Sequence, residues 1–138
     1  FSLDGHTAGV AICYDIVDDA IFAQMMSEGA DIILAPTNNA DFGRTDQSVQ
    51  QLAIARLRAV EMGRSVVNVS TVGTSAIITP EGETMDQLPT YTEGYMIEDV
   101  PTASHQTPAV ALGRSLEYSL GLFGLVSIAL GFWRRQRT

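Results

Sequence analysis

Thr7-Ala8-Gly9-Val10-Ala11-Ile12-Cys13-Tyr14-Asp15 is the stretch on which the fold turns. The run from Thr7 to Cys13 is short, apolar and partly β-branched, the pattern of a strand buried on both faces. It stops at Cys13-Tyr14-Asp15. Ile16, Ala20, Ala23 and Met26 then recur three to four residues apart and Gly29 follows, which predicts a helix over 16–28. The next strand is expected over 31–35, closed by Pro36, and a polar Asn/Asp/Gly-rich loop covers 37–47. A helix over 48–62 ends at Gly63, and strands are expected over 65–70, 75–79, 84–88 and 95–100, with a Pro80-Glu81-Gly82-Glu83 turn between the second and third of these. Strands alternating with helices, followed by hairpins, predict an α/β sandwich.

Of the 138 residues, 46% are hydrophobic and 17% charged, enough for one domain with a core and too few for two ordinary ones. The net charge is −8, and every basic residue is Arg. That balance argues against nucleic-acid binding through a basic patch. A single cysteine, Cys13, excludes an internal disulfide, and His6 and His105 lack ligand-like spacing, so neither a metal nor another cofactor is expected. The chain begins at Phe1 without an initiator Met, and is expected to be the C-terminal piece of a longer protein.

Charge divides the chain unevenly: residues 1–112 carry a net −11 and residues 113–138 a net +3. Residues 101–114 read as a linker opened by Pro101 and Pro108. Residues 115–133 then hold 19 residues with Glu117 as the only charge. At about 1.5 Å per residue they extend roughly 28 Å, close to a hydrocarbon core of about 30 Å. Tyr118 and Trp133 suit the two interfaces, and the basic tail over 134–138 places the C-terminus in the cytoplasm with residues 1–108 outside. Gly124, Ser127 and Gly131 form a small-residue ridge suited to packing on another transmembrane helix.

Cys13, at the end of a buried strand and entering a turn, is placed like a nucleophile on an elbow, with the N–H groups of the following residues available to an oxyanion. An inert buried thiol is the alternative reading of the same residue. Asp15 either orients the elbow or caps the turn. Arg56 falls among Val49, Leu52, Ala53 and Val60 on the helical wheel, so a buried Arg56 calls for an anionic partner and reads as a structural ion pair rather than a substrate contact. Asn38 and Asn39 either line a pocket or serve their turn. Phe42 meets an acyl chain or packs its loop.

Three groups of residues carry a resemblance: Ala11-Ile12-Cys13-Tyr14-Asp15; Pro36-Thr37-Asn38-Asn39-Ala40-Asp41-Phe42-Gly43; and Gln51-Leu52-Ala53 leading to Arg56-Leu57-Arg58-Ala59-Val60-Glu61-Met62-Gly63-Arg64. In order and spacing they resemble the C-terminal half of the nitrilase-type domain of the apolipoprotein N-acyltransferase family. Gly73-Thr74-Ser75-Ala76 before the Pro-Glu-Gly turn, and a final apolar helix ending in basic residues, extend the likeness over nearly the whole chain.

The resemblance implies an αββα sandwich of which residues 1–100 form the C-terminal half, followed by one transmembrane helix. It also implies a membrane enzyme that moves an acyl chain from a phospholipid to the N-terminal amine of a diacylglyceryl-cysteine lipoprotein through a cysteine thioester. Cys13 takes the nucleophile's position, with Tyr14, Asp15, Asn38, Asn39, Phe42 and Arg56 as supporting or pocket residues. The family's Glu and Lys are expected upstream, since the chain contains no Lys, and the piece alone is expected to be inactive. Asp15 stands where many relatives have Glu, and Asp41 where Trp is frequent. A membrane-anchored amidase of the same superfamily and a non-catalytic membrane-anchored interaction module are the rival expectations.

Overall fold

In the computed structural model, which describes residues 1–135, two parallel crossovers build the frame. β1 (Ser2–Leu3) and β2 (His6–Val10) form an antiparallel hairpin at one edge. The chain then turns through a 3-10 segment, Cys13–Val17, into α1 (Asp19–Ser27) and returns as β3 (Ile32–Thr37), parallel to β2. A second 3-10 turn, Ala40–Phe42, leads to α2 (Gln47–Met62), and β4 (Ser65–Ser70) lies parallel to β3. β5 (Ser75–Ile78) and β6 (Thr84–Leu88) complete the sheet as antiparallel strands, in the order β1-β2-β3-β4-β5-β6. α3 (Pro108–Leu112) and α4 (Ser115–Arg135) follow.

Both crossover helices cover one face of the sheet. α2 buries Leu52, Ala55, Ala59 and Met62, a stripe at helical spacing, and α1 buries Phe22, Met25 and Met26. These meet Ile33 and Ala35 of β3, Val66 of β4 and Ala76 and Ile78 of β5 in one cluster. A fully buried Phe22 contributes about 1.5–3 kcal/mol relative to an exposed one. On the other face Leu34 and Val67 are half-buried and Val69 is 50% exposed. The strands present an apolar surface there as well, as their continuous hydrophobic runs require.

Several expected boundaries move, each for a local reason. The first strand stops at Val10, and the expected helix over 16–28 is divided, because the Asp18 carboxylate accepts from the Ala20 N–H at 2.8 Å and caps a new helix start. β3 runs through Pro36, paired with Val69, instead of ending there. The Leu34 carbonyl accepts from Ala11 on the β2 side at 2.9 Å, so two residues on, the missing Pro36 N–H also faces that side, where β2 has already left the ladder. The strand expected over 95–100 is absent. Tyr95 and Ile97 are 82% and 80% exposed, and no ladder among the described residues includes them.

Residues 101–107, without regular structure, are tied to the α2–β4 junction. Ser65 Oγ donates to the Pro101 carbonyl at 2.6 Å, and Thr107 Oγ1 to the Glu61 carbonyl at 2.5 Å. Arg64, 4% exposed, donates to the carbonyls of Ala30, Met62, Gly63 and His105. Burial lowers its pKa, and the charge of Asp31 offsets part of that shift. α4 is long and apolar enough to cross a membrane, and none of its residues is buried against the domain. Of the expected basic tail, residues 136–138 lie outside the described residues.

Candidate active site

Six of the seven expected site residues follow the carboxyl ends of β2 and β3, the edge at which open parallel sheets place their ligands. Cys13 sits three residues past the end of β2, half-buried, with φ +54°. A side chain in this left-handed region costs about 1–2 kcal/mol, so the conformation persists only where neighbours hold it. Asp15 is one such neighbour: the Ile12 N–H donates to its carboxylate at 2.9 Å, and its own N–H donates to the Ile12 carbonyl at 3.0 Å. Asp15 therefore caps the turn that presents Cys13. Tyr14 is 79% exposed, and its N–H has no hydrogen-bond acceptor among the described residues.

A second hold on Cys13 comes from α2, through a residue to which the sequence reading gave no role. Gln51 Nε2 donates to the Cys13 carbonyl at 3.0 Å. Thr37 Oγ1 lies 3.2 Å from Gln51 Oε1 and 2.9 Å from Asn39 Oδ1. Asn39 is 2% exposed and belongs to this network rather than to solvent. Its seat depends on Gly73, where an added Cβ would stand 2.5 Å from Asn39 Nδ2, 2.6 Å from Ser70 Oγ and 2.9 Å from Ser48 Cβ. Asn38 is exposed and accepts from the Ala40 N–H at 3.1 Å and the Thr71 hydroxyl at 2.8 Å, joining the β3 and β4 loops. Phe42 is half-buried on its 3-10 turn.

Arg56 lies elsewhere. It donates to the Gly82 carbonyl at 2.6 Å and Thr84 Oγ1 at 2.9 Å, so its partners are neutral groups of the β5–β6 turn and the expected ion pair is corrected. The ion pair of this helix belongs to Arg58, 7% exposed, with Asp19 at 2.6 Å and Glu61 at 2.7 Å. It also donates to the Ile16 carbonyl at 2.9 Å and stacks over the Phe22 ring at 4.7 Å. Burial opposes the Arg58 charge, but the hydrogen bonds and charges of Asp19 and Glu61 together outweigh it and raise the pKa. The signal for Arg58 was present in the sequence as Glu61 one helical turn on; Asp19 was not locatable from spacing.

A cavity of about 720 Å³ opens between α1, the end of α2, α3 and the start of α4, lined among others by Met26, Met62, Val110 and Leu116, and Cys13 does not line it. Among the described residues no three His, Cys, Asp or Glu converge as metal ligands. The Cys13 turn thus offers a thiol and an N–H with no acceptor among the described residues, the elements of acyl chemistry on the nucleophile's side alone.

The family model for carbon-nitrogen hydrolases matches residues 1–108. Curated relatives named apolipoprotein N-acyltransferase include those of Vibrio vulnificus, 29% identical over 98% of this chain and 26% of that protein, and Nitrosomonas europaea, 32% identical over 99% and 27%. The chain thus spans about a quarter of the length of the curated relatives it matches. Among solved structures, a glutamine-dependent NAD+ synthetase from Acinetobacter baumannii superposes with a TM-score of 0.60 at 23% identity, over 68% of this chain and 19% of that one. A carbon-nitrogen hydrolase from Helicobacter pylori gives 0.56 at 17% identity, over 65% and 39%. These likenesses reproduce the nitrilase-like α/β fold, and with residues 1–108 matched, the chain belongs to the carbon-nitrogen hydrolase family.

Proposed function

We propose that this chain is the C-terminal part of an apolipoprotein N-acyltransferase, with residues 1–100 as the catalytic half-domain, 101–114 as connector, 115–133 as a membrane span and 134–138 as a cytoplasmic tail. The observation that carries the reading is the capped turn at Cys13, a thiol in a left-handed conformation beside a Tyr14 N–H that has no acceptor among the described residues. The names of the relatives and the apolar α4 favour a membrane acyltransferase over an amidase or a scaffold.

In this mechanism Cys13 Sγ attacks the ester carbonyl carbon of a phospholipid. An S–C bond forms, the carbonyl oxygen takes the electron pair beside the Tyr14 N–H, and the C–O bond to the lysophospholipid then breaks. The thiol proton passes through a general base to the departing oxygen. The N-terminal amine of a lipoprotein attacks the thioester next, a C–N bond replaces the S–C bond, and a proton returns to sulfur. The family resemblance assigns base and oxyanion-binding lysine to a Glu and a Lys outside these residues, so the chain expressed alone has no turnover.

Acyl transfer to a lipopeptide by the full-length protein carrying this chain tests the reading. Cys13→Ala abolishes transfer; retained transfer refutes the nucleophile. The proposed orientation, with residues 1–108 outside and the C-terminus inside, predicts that a cysteine replacing Thr138 escapes an impermeant thiol reagent in intact cells. Labelling there reverses the topology.

A further inference from the structure

The peptide group joining Cys13 to Tyr14 is gripped from behind by a side chain of a different element. A carbonyl only accepts, so Gln51 must turn its NH2 to Cys13, at 3.0 Å, and its Oε1 toward the Thr37 hydroxyl, at 3.2 Å. Thr37 is the last residue of β3 and stays in register with Ser70 of β4, so the far end of Gln51 rests on the sheet. The Cys13–Tyr14 peptide is trans, and its N–H therefore points opposite its C=O. Gln51 holds the C=O from α2, and the N–H on the other side has no acceptor among the described residues.

We infer that Gln51 is a positioning residue for acylation: by anchoring the Cys13 carbonyl to the end of β3 it aims the Tyr14 N–H at the carbonyl oxygen of the acyl donor. The inference rests on the proposed reading of Cys13 as nucleophile. Cys13 opens the 3-10 segment Cys13–Val17, whose i→i+3 pattern also brings the Ile16 N–H to its carbonyl, and Gln51 adds a second hold from α2. Cys13 sits at φ +54°, and Asp15 caps Ile12, on the other side of Cys13 from the peptide group in question. Without Gln51 only the single 3-10 bond of this segment opposes rotation of that strained peptide, and rotation carries the donor away from the developing charge.

The test compares two reactions of the same thiol in the full-length protein carrying this chain. Acylation by phospholipid without acceptor passes through an oxyanion. Alkylation by iodoacetamide displaces iodide directly, with an S–C bond formed, a C–I bond broken and no charge placed on oxygen. Gln51→Met removes the donor, and Gln51→Glu keeps an acceptor for Thr37 but has none of the N–H groups. Both are expected to slow acylation about 100-fold while alkylation of Cys13 keeps the wild-type rate and the KM for phospholipid is unchanged. Acylation at the wild-type rate overturns the inference. A parallel change in both reactions also overturns it, since Gln51 would then only support the fold around the thiol. Acyl transfer surviving Cys13→Ala removes the nucleophile reading itself, an outcome distinct from either.

Discussion

Leu57 on α2 and Leu125 on α4 are exposed to nearly the same degree, 64% and 68%, yet they belong to helices with different surroundings. α2 buries a stripe from Leu52 to Met62 against the sheet and carries Gln50, Arg56 and Glu61 among its other residues. α4 has no buried residue, and Leu120, Leu122, Leu125 and Ile128 are exposed around its circumference with Glu117 as the only charge before Arg134. Leu57 lies in a narrow exposed stripe with Val49, Ala53 and Val60 on a helix whose other exposed positions are polar, whereas a helix apolar all round requires lipid or another protein. The two leucines show that exposure acquires meaning only from the residues around it.

Arginine at each position separates the two environments most strongly. Leu125→Arg, at the middle of the proposed span, is expected to lower the membrane-inserted fraction on the order of 100-fold in a glycosylation-reporter assay. Leu57→Arg should leave the thermal midpoint of the full-length protein nearly unchanged, with an effect within about 0.5 kcal/mol. Equal responses at the two sites would mean that α4 packs against protein, or that α2 has a covered outer face.

A smaller contrast lies within α2. Arg58→Ala removes an ion pair to two carboxylates, leaves the Ile16 carbonyl unpaired and uncovers Phe22, so a loss of about 2–3 kcal/mol is expected in denaturant titration. Arg56→Ala loses two neutral partners on a half-buried side chain, and about 1 kcal/mol is expected. A reversed order would make the β5–β6 turn, rather than the α1–α2 clamp, the stronger joint of the domain.

How far the sequence could be read follows the range of the forces involved. β4 and β6 match their expected bounds, Ser65–Ser70 and Thr84–Leu88, and α2 ends at Met62 before Gly63, which adopts φ 62° as a helix stop requires. These features are decided by neighbours along the chain. Pro36 misled because its effect depends on where β2 ends, and Tyr95 to Val100 misled because a β-rich composition does not supply a partner strand. At the candidate site, Cys13 and Asp15 are local and were legible. Gln51 reaches Cys13 across 38 positions, and Arg58 reaches Asp19 across 39, contacts that no helical wheel contains. The wheel instead pointed to Arg56, but of its apolar neighbours only Leu52 is buried, and the face turned to the sheet carries Ala55, Arg58, Ala59 and Met62.

The central claim is that Cys13 carries the acyl group between donor and acceptor. Incubating the full-length protein with phospholipid and no lipoprotein should add one acyl mass to the tryptic or intact species at Cys13, released by neutral hydroxylamine as a thioester is and absent from Cys13→Ala. An acyl group found on another residue, or normal transfer by the Cys13→Ala protein, would contradict it.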